Sequence, residues 1–330
     1  MKTTPLGRGG PAVSQFGLGA MSFAGIYGDA TRDEAHAVLD ACRDAGVSHI
    51  DTSNVYGMGR SEEALATWFK ARQGGRAAMH LATKAGITAD PNRRINNDPD
   101  HLEASLDASL KRLGTDHVDL FYLHRFEATY PIEEVAGTLK RLIDSGKTRS
   151  VGLSEIAPST LRRAWNECPI AAVQSEYSLS TRFPELGLVQ ACAELGTTLV
   201  AFSPVGRTLL TDTPFTPERI QKMDFLRTNP RFMEPNYSAN IRITDGFRAL
   251  AAEMGEPAAA LAIAWLIAKG DHVLPIPGTK NTAHLAELIR GAEIDLTPED
   301  LARIEAVLPV GWAHGDRYNE AQWKGPERYC

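Results

Sequence analysis

Four residues of the chain could together protonate an oxygen as hydride reaches the carbon that bears it: Asp51, Tyr56, Lys84 and His124. A free phenol titrates near about 10, too high for easy proton exchange at neutral pH, but a neighbouring ammonium stabilises the phenolate and makes tyrosine a usable acid or base. A lysine inside a protein is costly unless paired, and Asp51 offers the countercharge that also fixes its position. His124 can donate a hydrogen bond to a carbonyl oxygen or couple to the phenol proton. Taken singly, an aspartate at a strand end is usually a turn residue and a lysine a solvated charge. It is the set that carries the chemistry.

Such a set needs elements that bring distant residues to one place. Short apolar, β-branched runs alternate with longer helical patterns, and eight such runs lie near Phe16–Gly19, Val47–Asp51, His80–Lys84, Val118–His124, Ser150–Ser154, Ala171–Gln174, Thr198–Ser203 and Val273–Pro277. Alternating strands and helices predict a parallel sheet, and eight pairs in about 250 residues predict a closed (β/α)₈ TIM barrel, an α/β fold. Asp51, Lys84, His124, Ser154 with Glu155, and Gln174 stand at the ends of these runs, where barrel strands converge on one mouth. Thr31-Arg32-Asp33-Glu34 has the pattern of a capping box, Gly46 follows the first helix, and Pro158 and Pro298 sit near later helix starts.

The remaining segments have their own signatures. Lys2–Val13 predicts a hairpin around Arg8-Gly9-Gly10 covering the barrel bottom, and Val205–Ile241, after the seventh strand, is too long for a plain turn. Pro309–Cys330 is a tail rich in Gly and aromatics, predicted to lie near the barrel mouth as a substrate lid, with subunit packing as the alternative. No compositional break divides residues 1–330, so one domain is expected.

Composition narrows the partners. With 35 Lys and Arg against 41 Asp and Glu, the net charge of −6 leaves no basic surplus for nucleic acid or an anionic membrane. The 43% apolar and 23% charged content is that of a globular enzyme. Cys42, Cys168, Cys192 and Cys330 form no Cys-x-x-Cys pair and are expected to be reduced packing residues. The first ten residues lack the apolar segment of a signal peptide, and Ala258–Ala268 is too short to cross a bilayer, so it is expected to be a buried helix and the chain cytoplasmic. No His-x-His or His-Glu-x-x-His spacing supports a metal-dependent hydrolase, so no metal is expected. Nor is there a Gly-x-Gly-x-x-Gly or P-loop pattern: Gly17-Leu18-Gly19 meets Ser22 where the third glycine belongs.

Through Gly46-Val47-Ser48-His49-Ile50-Asp51-Thr52-Ser53-Asn54-Val55-Tyr56-Gly57, Ala82-Thr83-Lys84 and Tyr122-Leu123-His124-Arg125, the chain resembles the aldo-keto reductase family. Gly152-Leu153-Ser154, Val173-Gln174-Ser175-Glu176-Tyr177-Ser178, Phe202-Ser203-Pro204 and Pro275-Ile276-Pro277-Gly278-Thr279-Lys280 extend the likeness over almost the whole chain. The resemblance implies reduction of aldehydes or ketones to alcohols, with Tyr56 as general acid, Lys84 and Asp51 tuning it and His124 orienting the carbonyl. It implies NADPH across the mouth: Ser154, Glu155 and Gln174 at the carboxamide, Tyr177 stacked on nicotinamide, and Gly206 and Arg207 at the pyrophosphate. Gly278, Thr279, Lys280 and His284 would meet the ribose phosphate, and Glu287 the adenine; Tyr27, Phe126 and Trp312 are candidate substrate contacts.

Departures from the family pattern qualify this. Glu155 replaces a common Asn and cannot donate to a carboxamide. His284 replaces a common Arg and Leu288 a common Asn, which leaves NADH as the alternative cofactor. Thr208 and Asp212 replace glycines frequent after Arg207. Two further readings follow from the likeness: an NAD-dependent sugar or hydroxymethyl-compound dehydrogenase, and a nicotinamide-binding, channel-associated β-subunit-like protein.

Overall fold

The structure, a computed structural model, describes residues 1–90 and 94–329. Ten strands run in chain order: β1 Thr3–Pro5, β2 Ala12–Ser14, β3 Gly17–Gly19, β4 His49–Asp51, β5 His80–Ala85, β6 Val118–Leu123, β7 Thr148–Ser154, β8 Ala172–Glu176, β9 Thr198–Phe202 and β10 Val273–Pro275. Strands β3 to β10 form one parallel sheet in which each pairs with the next along the chain. The seam between the last strand and the first is closed by backbone: the Gly19 amide donates to the Pro277 carbonyl at 2.9 Å. A Cβ on Gly278 would lie 2.7 Å from the Gly19 oxygen, so this seam needs glycine. The predicted (β/α)₈ barrel is the observed fold, with all eight strands in the expected places.

Alternation along the strands separates two cores. Ala82, Leu120, Tyr122, Ala172, Val200 and Leu274 point into the barrel, together with the partly buried Phe202. Leu81, Phe121, Leu123, Val151, Leu153, Val173 and Leu199 point outward to the helices. The barrel interior is tight: a Cβ on Gly152 would sit 2.5 Å from the Tyr122 ring, so the absence of a side chain there admits the aromatic. Below, the β1–β2 hairpin corks the barrel with Leu6 and Val13, both 1% exposed. The Gly7 amide anchors it to Thr198 Oγ1 at 2.9 Å.

Local signals explain where the helices begin. Thr31 Oγ1 accepts from the Glu34 amide while Glu34 Oε2 accepts from the Thr31 amide, completing the capping box that starts the helix Arg32–Asp44. Pro158 and Pro298 occupy first helical positions. The helix Ala258–Ile267 is buried along Ala258–Leu266, as its uniform apolarity requires. Among the described residues no single helix is long and apolar enough to cross a membrane. Cys42, Cys168 and Cys192 are buried and unbridged, whereas Cys330 lies outside the described residues.

The long connection after β9 is a small structure of its own. Its short helices bury Leu209, Ile220, Met223, Leu226 and Phe232 with Tyr237. Asp212, where the resemblance led to glycine, accepts from the Ala258 amide at 3.0 Å and so caps the helix Ala258–Ile267.

Candidate active site

The strand ends set the site. Asp51 closes β4, opposite Ala82 of β5, and Lys84 lies two residues further on, which keeps it on the inward face. In β6, Tyr122 pairs with Lys84, and His124 follows on the same parity. Lys84 is 0% exposed and donates to Asp51 Oδ1, to the Thr52 carbonyl at 2.9 Å and to the Tyr56 hydroxyl at 3.3 Å. Gln174 Nε2 donates to Asp51 Oδ2 at 2.9 Å, so both carboxylate oxygens are engaged. His124 Nδ1 meets Ser53 Oγ at 3.1 Å, and its ring stands edge-on to Tyr56 at 5.9 Å. Asp51, Tyr56 and His124 therefore line a mouth cavity of about 790 Å³, with Lys84 buried behind them.

Burial raises the Asp51 carboxyl, with Lys84 and Gln174 opposing it. Burial also pulls Lys84 down, but Asp51 and Tyr56 outweigh it and hold the ammonium above its ordinary value. Lys84 is thus a cation at neutral pH. Burial, then Arg125, then Lys84 hold His124 well below the ordinary histidine range, so its imidazole is neutral. His49 is depressed in the same way, by burial first and then by His80 and Lys84. A histidine depressed in the folded state binds its proton more readily when unfolded. Stability is therefore full above the unfolded pKa of about 6.5 and falls as pH drops below it. Calorimetry should record a decline in Tm between about pH 7 and pH 5, above the carboxylate range; a flat Tm there would contradict buried neutral histidines.

The cavity gathers most of the remaining expected residues. Ser154, Gln174, Arg207, Gly278, Thr279, Lys280, His284 and Glu287 line it, as does Tyr27. Asn281 Oδ1 caps the helix Thr282–Arg290 at its Ala283 and His284 amides, presenting that N-terminus to the cavity wall. Lys280 Nζ donates to the Asp29 carbonyl. Gly206, Arg207 and Thr208 all take positive φ, of 59°, 55° and 83°. Thr208 thus holds a backbone conformation suited to glycine, and such strain collects at functional loops.

Other expected contacts lie elsewhere. Tyr177 falls on the outward parity of β8: its hydroxyl donates to Glu185 Oε1 at 2.8 Å and its ring packs against Trp265, so it does not reach the cavity. Glu155 is 3% exposed and committed to Arg317 Nη2 and the Glu176 amide, leaving its carboxylate sealed below the mouth. Gly206 is buried beside Ser180 Oγ and is not a wall residue. Phe126 and Trp312 pack on the outer core, Trp312 donating its indole N–H to the Leu179 carbonyl at 2.8 Å. Among the wall residues given no role from sequence are Phe202, Phe215 and Arg125. Inward alternation from Val200 was the available signal for Phe202.

Below the wall lies a buried charge network. Glu176, 1% exposed, accepts from Arg207 Nη2 at 2.5 Å and Thr181 Oγ1 at 2.9 Å, with Arg317 and Arg231 at 3.5 and 3.6 Å. Burial pushes its carboxyl up, but Arg207, Arg317 and Arg231 prevail and hold it below its ordinary range. Asn229 Nδ2 and Arg207 Nη1 also donate to the Arg317 carbonyl, at 2.6 and 3.4 Å. The tail is thereby tied to the loops after β8 and β9. Tyr318, next to Arg317, lines the cavity, so the tail reaches the mouth as expected.

Polar groups converging at the C-terminal ends of barrel strands make this chain an enzyme of the TIM-barrel type. The chain belongs to the aldo/keto reductase family, an oxidoreductase family whose model matches residues 15–309. It is 37% identical over 316 residues to the Schizosaccharomyces pombe protein named aldo-keto reductase yakc (NADP(+)), covering 94% of this chain and 93% of that one. Aldo-keto reductase str7 of Strobilurus tenacellus is 37% identical over 314 residues, covering 92% of each. Among solved structures, the glycerol dehydrogenase AKR11B4 from Gluconobacter oxydans superposes with a TM-score of 0.79 at 25% identity, over 93% of this chain and 94% of that one. A thermostable aldo-keto reductase crystallised with the inhibitor epalrestat gives 0.72 at 27% identity, over 93% and 100%.

Proposed function

We propose that the chain, acting as one barrel domain, is an NADPH-dependent carbonyl reductase that converts small aldehydes or ketones to alcohols, with Tyr56 as the proton donor. One observation carries this: the Lys84 ammonium contacts the Tyr56 hydroxyl at 3.3 Å while paired with buried Asp51, and the neutral His124 ring stands beside that phenol. As a carbonyl oxygen gains negative charge it takes the Tyr56 proton, and Lys84 stabilises the charge left on the phenol oxygen. His124 Nδ1 is engaged with Ser53, so Nε2 is the nitrogen free to direct a hydrogen bond at the carbonyl. Asp51, held by Gln174, positions Lys84.

The wall opposite fits a dinucleotide. Arg207 lines the wall from a loop whose neighbouring backbone is left-handed, with Glu176 holding its Nη2, and Lys280 and His284 flank the N-terminus of the helix Thr282–Arg290. Cationic side chains and a helix N-terminus on one wall together suit phosphates. Ser154 and the Gln174 carbonyl would hold the carboxamide end, Phe202 offers the aromatic surface that Tyr177 does not, and Glu287 can accept from adenine. Bound NADPH supplies the hydride. An NADPH-oxidation screen over aldehydes, ketones and sugar aldehydes, repeated with NADH, tests the reading; no turnover with any of them would reject it.

Lys280→Met tests the cofactor preference. Losing a charge-assisted contact of about 1.5–3 kcal/mol should weaken NADPH binding about 10- to 100-fold and leave NADH nearly unchanged. Fluorescence titration with both cofactors checks this. Equal weakening of the two would assign Lys280 to holding the loop at Asp29 instead.

A further inference from the structure

Arg125 is a cavity-wall guanidinium with three of its five N–H donors unused among the described residues. Its Nη1 donates to the His124 carbonyl at 2.6 Å and to Ser154 Oγ at 3.1 Å, which fixes the group beside the residue that faces the carbonyl. Among the described residues Nε and Nη2 form no hydrogen bond, and neither is sealed from solvent as the Arg76, Arg207 and Arg317 Nε atoms are. Among the described residues no carboxylate lies within ion-pairing distance of Arg125. Every other arginine buried near the mouth, Arg207, Arg231 and Arg317, faces Glu176.

Position in the barrel separates this cation from those assigned to phosphates. Arg207, Lys280 and His284 belong to the connections after β9 and β10, and the rim acid Glu34 feels Lys280. Arg125 follows β6 on the other side of His124. The connection after β5 adds Arg94, exposed on the same side of the cavity beside the apolar Ile87. The half of the mouth left for substrate therefore presents two guanidinium groups and apolar walls, and neither guanidinium is ion-paired among the described residues.

We infer that the physiological substrate is an oxo acid, an aldehyde or ketone carrying a carboxylate that is held by the Nε and Nη2 edge of Arg125. This rests on the carbonyl-reductase reading of the site. A guanidinium edge with two parallel N–H groups matches the two oxygens of a planar carboxylate. Because Nη1 is anchored to the backbone of His124, the recognised anion sits close to the reacting carbonyl. The carboxylate takes no part in bond making; it aligns the carbonyl with Tyr56 and His124.

The test compares kcat/KM, by NADPH oxidation, for succinic semialdehyde against butanal and for para-carboxybenzaldehyde against its methyl ester, in the wild type, Arg125→Lys and Arg125→Gln. The wild type should prefer each acid by about tenfold or more, and Arg125→Gln should cut that preference about 10- to 100-fold, chiefly through KM for the acids. Arg125→Lys, which keeps charge but not the fork, should retain an intermediate preference. The quantity read is the acid-to-neutral ratio, because loss of the Nη1 anchors can slow both substrates through His124. Reduction of the neutral aldehydes with no preference for the acids would overturn this inference and leave the carbonyl-reductase reading standing. A ratio unchanged in Arg125→Gln would overturn it too. A stronger preference for a phosphorylated aldehyde of matching length would reassign the edge to phosphate and reject the carboxylate. If neither acids nor neutral aldehydes are reduced, both readings fall together.

Discussion

Tyr56→Phe is expected to lower carbonyl reduction by about 10²–10⁴-fold, the effect of losing one acid–base group, and to leave NADPH affinity nearly unchanged. The substitution removes one oxygen from the cavity floor and nothing from its walls. Lys84 keeps Asp51 and the Thr52 carbonyl as partners, so the buried cation is not orphaned. Folding should be preserved for the same reason. Pre-steady-state hydride transfer and cofactor titration on the same preparation separate the two quantities. Turnover within about threefold of wild type would remove Tyr56 from its proposed role.

Lys84→Met is expected to harm both stability and catalysis. The ammonium is fully buried, and its loss strands the Asp51 carboxylate with only Gln174 to satisfy it. Breaking one side of a buried pair costs about 3–5 kcal/mol, a large share of the 5–15 kcal/mol that holds a typical domain together. Catalysis should fall because the charge facing the Tyr56 oxygen is gone. The double variant Asp51→Asn with Lys84→Met separates these losses: removing both charges should restore much of the stability and none of the activity. Chemical denaturation of the wild type, both single variants and the double variant checks the first statement, and turnover checks the second. A double variant no more stable than Lys84→Met alone would contradict the pairing argument.

The sequence reading succeeded where local periodicity and strand-end position decide the outcome. Asp51, Lys84 and His124 sit on inward parities of three neighbouring strands, and a parallel barrel with that register leaves them no other meeting place. It failed where a partner lies far along the chain. Glu155 looks available until Arg317, 162 residues away, claims it, and no spacing rule anticipates that contact. Trp312 is similar, because its indole answers to a carbonyl 133 residues earlier. Tyr177 is a different case. Val173, Ser175 and Tyr177 alternate outward while Ala172, Gln174 and Glu176 alternate inward, so strict parity would have sent the ring to Trp265 and left Phe202 as the aromatic of the mouth. Arg125 was legible as a residue type next to His124, but its unused edge became visible only once the absence of a neighbouring acid could be seen in three dimensions.

The sharing of Glu176 among three guanidinium groups makes the two sides of the mouth mechanically unequal. Along one rim, the loops after β8 and β9 and the tail segment around Arg317 converge on Glu176, with Glu155 as a second carboxylate on Arg317, so shifting any of them strands charge belonging to the others. The facing rim is tied by hydrogen bonds to backbone carbonyls, from Gly19 N–H to Pro277, from Ser22 Oγ to Thr279 and from Lys280 to Asp29, with no ion pair of its own among the described residues. Displacing the first rim would separate buried charges, whereas displacing the second would cost hydrogen bonds to backbone carbonyls.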